Sequence, residues 1–247
     1  MMQQPIPLMR RRLAGVLLTC GLLMAVSQLL ASDQPASPEA AYRAMSPEEL
    51  ADYLIFEMGG FDLEAPTQDG GTARERLVQD RTQKICSAIA RGGAELDRPT
   101  AAKISALAEE SMQFPEGGVT LGDWRQGEVI ARSGFGYRIG HRTDDHGSQS
   151  PGGNCYACHQ LDPNEIAHGT VGPSLAGYGR LRGTSDAMLK HTYQILYNAH
   201  LFFPCTTMPR FGHQGTLTQE QIRDVMAYLL DPESPVNQEP EQTARAD

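Results

Sequence analysis

Cys155, Cys158 and His159 form a C-x-x-C-H within GGNCYACHQL, residues 152–161, and no other stretch constrains the chain as much. Two thiols at this spacing on one helical turn add to the two vinyl groups of a haem, and the adjacent histidine then falls beneath the iron as proximal ligand. A chance match and half of a zinc site are the competing explanations. Zinc wants two more Cys or His ligands in a paired spacing, and the one nearby thiol, Cys205, stands alone. One covalent haem c is therefore the expected cofactor, attached through Cys155 and Cys158 with His159 on the iron. The helices downstream are then expected to wrap it.

Such an iron needs a sixth ligand. The downstream candidates are Met188, Met208, Met226, His168, His191, His200, His213 and Cys205. Met188 and Met226 sit in helices of apolar periodicity, where methionine usually fills core. Met208 lies in Phe203-Pro204-Cys205-Thr206-Thr207-Met208-Pro209-Arg210-Phe211-Gly212, a loop bracketed by prolines that suits neither helix nor strand. A thioether on so rigid a loop can be held over the open haem face, so Met208 is the expected distal ligand. His200, His213 and Cys205 are the reserves. In Gly172-Pro173-Ser174-Leu175 the Pro173 carbonyl is expected to accept the ring N–H of His159, a bond that fixes the ring and tunes the iron. A simple turn is compatible with that role. Arg180 and Arg182 are candidates to pair with haem propionates, with solvated surface charge as the alternative.

The remaining sequence surrounds this site with helices. Gly122 to Ala131 reads as one helix, and Thr218-x-x-Gln221 caps another that carries Ile222, Val225, Met226, Leu229 and Leu230. In small cytochromes c the first and last helices cross closely, a glycine of one against an aromatic of the other. Gly127 and Tyr228 are candidates for that pair, with a glycine tolerated at an exposed helix position as the alternative. Upstream, Ser46-Pro47-Glu48-Glu49 starts a helix running to about Met58. Thr72-x-x-Glu75 starts another that keeps its spacing to Arg91, and a third takes Ile104, Leu107, Ala108 and Met112. Residues 32–45, with Pro35, Ser37 and Pro38, read as a mobile linker. The expected fold is all-α: a class I cytochrome c-like domain over 118–237, preceded by a linker and helical extension over 32–117 and followed by a disordered tail over 238–247.

Arg10, Arg11 and Arg12 precede an apolar run from Leu13 to about Met24 and then small residues, so residues 1–31 read as an export signal. Cleavage is expected between Ser27 and Ala31, with an uncleaved anchor as the alternative. Thr19 before Cys20 and apolar residues after it make a lipoprotein signal weak. The expected location is the periplasm. A formal charge of −9 argues against a nucleic-acid partner. Of the five cysteines, Cys20 leaves with the signal and two hold haem, which leaves Cys86 and Cys205 for a disulfide in an oxidising compartment. A free reactive thiol near the haem is the competing idea.

Taken together, GGNCYACH, VGPSLAGYG, PCTTMPRFGH and LTQEQIRDVMAYLLDPESPVN resemble the SoxX family, the small monohaem subunits of the SoxAX cytochrome complexes of bacterial thiosulfate oxidation. The resemblance covers about residues 112–237. It implies the same haem attachment at Cys155 and Cys158, His159 as proximal ligand and Met208 as distal ligand. It further implies a SoxA-like haem partner and an L-cysteine S-thiosulfotransferase reaction that joins thiosulfate to a cysteine of a SoxYZ-like carrier. This subunit would relay the two electrons to a soluble cytochrome c and hold no catalytic site of its own. Compact family members lack a segment as long as 32–111. A free periplasmic shuttle cytochrome is the alternative, while a dihaem peroxidase would need a second C-x-x-C-H, which is absent.

Overall fold

The computed structural model describes residues 38–66, 71–136 and 149–239; residues 1–31, read above as an export signal, and most of those read as a tail lie outside them. Among the described residues there are no strands, only one isolated bridge between Pro66 and Thr72. The chain divides into two compact units that part after Met58.

The first unit holds α1 (Pro38–Ala44) and α2 (Pro47–Asp52), the latter continuing as a π-helical turn over Tyr53–Glu57. The expected capping box is present, with Ser46 and Glu49 each accepting the other's backbone N–H. α1 corrects the linker reading. Its prolines suggested coil, but Pro38 pre-sets the first helical turn and the residues after it are helix formers with no glycine among them.

The second unit contains α3 (Ala73–Leu77), α4 (Arg81–Gly92), α5 (Arg98–Glu110), α6 (Trp124–Arg132), α7 (Tyr178–Arg182), α8 (Asp186–Tyr197) and α9 (Gln219–Leu230). The single helix expected from Thr72 to Arg91 is two helices. Thr72 caps α3 as expected, but Val78 turns extended, and Asp80 opens α4 with its own capping box to Gln83. A local Asp-x-x-Gln signal thus outweighs the apolar periodicity that spans the break.

α6 and α9 form the centre of this unit. A Cβ at Gly127 would lie 1.9 Å from the carbonyl oxygen of Asp224 and 2.9 Å from the Cβ of Tyr228, so only glycine permits the helices to approach this closely. Around the crossing, Ile130, Leu161, Tyr193, Leu196, Ile222, Val225, Met226, Tyr228 and Leu230 are buried in one core. The 59–117 part of the chain packs into the same unit. Tyr193 of α8 donates to the Gln113 carbonyl at 2.8 Å, and Asn198 donates to Ser111 Oγ at 3.0 Å.

Candidate haem site

The C-x-x-C-H turn is positioned by the end of α6. Gly153 and Asn154 donate their backbone N–H groups to Ile130 and Ser133 at 2.8 and 3.0 Å, and Asn154 takes a left-handed conformation with φ 49°. The chain then winds through a 3-10 turn over Cys155–Ala157, and the N–H groups of Cys158 and His159 both reach the Cys155 carbonyl. Arg132 of α6 bonds Glu165 at 2.9 Å, while Glu165 also accepts from the Leu161 N–H at 2.8 Å. The segment following His159 is therefore tied to the same helix.

Cys155 and Cys158 are not joined to each other. Burial pushes the Cys155 thiol up to about 12. His159 Nδ1 lies 2.7 Å from the Pro173 carbonyl oxygen. A carbonyl can only accept, so Nδ1 carries the proton and Nε2 keeps its lone pair. Gly172 makes room for the ring: a Cβ there would lie 2.1 Å from His159 Cε1.

The loop that carries Met208 is tied both within itself and to α4. Met208 packs partly buried against the core, and its N–H donates to Thr206 Oγ1 at 3.2 Å. Phe211 is buried beside Gly153, where a Cβ would lie 3.7 Å from the Phe211 ring, so this loop reaches the haem-attachment turn. Cys205, in a left-handed conformation with φ 60°, is bonded to Cys86 of α4, the pairing expected from the cysteine count. That bond closes a loop across 119 residues. On a chain-entropy argument it stabilises the fold by about 4 to 5 kcal/mol.

The other candidate ligands have different surroundings. Met226 is fully buried in the core, and Met188 packs beside the Tyr178 hydroxyl. His191 meets Phe202 edge-on at 4.5 Å, and His168 is exposed. His200 is buried and accepts the Cys205 N–H through Nδ1 at 3.2 Å. His213 Nε2 stands 3.9 Å from Asp80. Arg180 and Arg182 are exposed, the first pairing with Glu239 at 3.3 Å and the second lying over the Tyr178 ring.

Arg210 was not singled out in the sequence, yet it is 4% exposed and pairs through Nη1 with Asp80 at 2.5 Å. Burial works to raise Asp80, but the Gln83 N–H and the Arg210 guanidinium outweigh it and hold the carboxyl below its ordinary value. The second amino group of Arg210 is buried without an acceptor among the described residues. A lone cation between Pro209 and Phe211 is the one signal the sequence offered for it.

These residues fit a covalent haem better than a metal ion alone. Two thiols stand unpaired on one turn beside a histidine with a free Nε2, and a buried donor is left over on the distal loop for an acidic group. Among the described residues no cluster of three or more His, Cys, Asp or Glu side chains could hold a bare ion.

Residues 145–231 match the family described as Cytochrome c. Fold and family together define an all-α, class I cytochrome c-like electron-transfer domain that carries covalent haem c. An uncharacterized lipoprotein of Aquifex aeolicus (strain VF5) is 43% identical over 163 residues, which cover 65% of this chain and 73% of that protein. The chain belongs to the same family as that protein. Among solved structures, the crystal structure of SoxXA from P. pantotrophus matches at 24% identity over 49% of this chain and 90% of that one, with a TM-score of 0.33. A TM-score of that size does not establish a shared fold.

Proposed function

We propose that this chain is the SoxX-like electron-relay subunit of a periplasmic SoxAX-type thiosulfotransferase, with haem attached at Cys155 and Cys158 and its iron held between His159 and Met208. The relay role is supported by a His159 ring fixed by Pro173 and, separately, by a Met208 that packs against the core on a loop tied to α4. Haem c supplies one-electron exchange when bound. His159 and Met208 would be the two protein ligands, which would leave no position for a substrate and make outer-sphere electron transfer the chemistry supplied. Thiosulfate chemistry rests on the four motifs that resemble the SoxX family, not on the haem site.

The test is reconstitution. The purified chain is expected to be redox-active and unable by itself to couple thiosulfate to a carrier thiol. Adding a SoxA-like haem subunit should give turnover, with electrons appearing on the haem of this chain. Turnover of thiosulfate by the isolated chain, or equal turnover with a haem-free version of it, would overturn the relay role.

Export to the periplasm belongs to the same proposal. Arg10, Arg11 and Arg12 before an apolar run support it, and so does the Cys86–Cys205 disulfide, which suits an oxidising compartment. The mature protein should begin between residues 28 and 32. An acylated Cys20 at its N-terminus would instead give a lipid-anchored form, as the name of the Aquifex aeolicus relative describes for that protein.

A further inference from the structure

We propose that α4 is the positioning device for Met208: Cys86 and Asp80 hold the distal loop from both sides and set how firmly its thioether is presented. The proposal rests on Met208 being the distal ligand. α4 precedes the cytochrome c match, which spans residues 145–231, so this role falls outside the matched domain.

The two anchors flank Met208 closely. Cys205, three residues before it, is bonded to Cys86 with a Cα separation of 5.4 Å. Arg210, two residues after it, pairs with Asp80. Both anchors come from one short helix, and Asp80 serves two purposes at once. Its Oδ1 accepts the Gln83 N–H at 2.8 Å and caps α4, while its Oδ2 takes the guanidinium. The carboxylate is thereby locked to the helix frame, and the arginine it holds cannot move without disturbing the cap.

A third connection comes from the end of α5. Ser111 Oγ accepts from Asn198, Asn198 Oδ1 accepts the His200 N–H, and His200 Nδ1 accepts the Cys205 N–H. Cys205 is therefore held through its side chain and its backbone. Its left-handed φ is costly for a residue with a Cβ and persists because the surroundings fix it. A loop restrained at both ends has less freedom to swing away, so the entropy cost of presenting Met208 is met by the fold in advance.

Imidazole added to the ferric holoprotein competes with Met208 for the iron, so its apparent affinity reports how firmly the methionine is held. Asp80→Asn, and separately Cys86→Ser with Cys205→Ser, are expected to bind imidazole about tenfold more tightly than wild type and to show a weaker methionine-to-iron charge-transfer band. Asp80→Asn keeps the disulfide and decides by itself where the double variant does not fold. Thr72→Ala, which removes the cap of α3, should lower stability and leave imidazole affinity unchanged. Wild-type affinity in Asp80→Asn, in a protein whose band is lost in Met208→Ala, would overturn the positioning role and leave the ligand assignment standing. Absence of the band from wild type would instead remove the assignment on which this inference rests.

Discussion

The ring of His159 donates through Nδ1 to the Pro173 carbonyl across 2.7 Å, with Gly172 lying flat beneath the imidazole. Gly172→Ala would put a methyl group 2.1 Å from the ring, and the ring has no slack while Pro173 holds it. Overpacking of this kind costs about 1 to 3 kcal/mol. The variant is expected to lose that much in denaturant unfolding and to show a ferric spectrum with a high-spin fraction. Unchanged stability and an unchanged spectrum would mean that the ring is not fixed in this way.

Gly127→Ala tests the helix crossing. The added Cβ would lie 1.9 Å from a backbone oxygen of α9, which cannot turn aside as a side-chain tip can. Destabilisation of about 1 to 3 kcal/mol is expected in chemical or thermal unfolding. Gly60→Ala is the control, since a Cβ there meets nothing within 4 Å. Equal effects at the two positions would contradict a close crossing.

Stability should fall on the acid side in two stages. Burial, reinforced by Arg210, holds His200 and His213 below the ordinary imidazole value of 6.5, with Asp80 pulling the other way. The unfolded chain then binds more protons than the folded one just below that value. Stability from these histidines is complete above about pH 6.5 and is lost as pH falls through their lowered folded values. Asp80 is also lowered, so its contribution is present above its ordinary 3.8 and disappears as pH falls through its folded value. Melting temperature measured against pH should show both losses, and His213→Gln should flatten the first. A first stage identical in that variant would rule out His213 as a contributor.

Local signals made most of the centre legible. The C-x-x-C-H turn and the cap at Thr218 each depend on residues a few positions apart, whereas the Gly127–Tyr228 contact was expected from likeness to small cytochromes c. The Cys86–Cys205 bond followed from counting, because export and haem attachment left only two thiols. What escaped was set by distant partners or by competing local ones. Asp80 and Arg210 are 130 positions apart, and nothing in either neighbourhood names the other. The break at Val78 was hidden because apolar spacing continues across it, although the Asp80 to Gln83 capping box was there to be read. Pro38 suggested coil when it stood at the first turn of a helix, where proline is at home.

The central claim is that one haem c is held between His159 and Met208, with no position open to substrate. The direct measurement is the near-red absorption of the oxidised holoprotein, wild type beside Met208→Ala. Wild type is expected to show the methionine-to-iron charge-transfer band of a low-spin haem, and Met208→Ala to lose it entirely while its haem stays covalently bound. A band that survives in Met208→Ala, or that wild type never shows, would contradict the account.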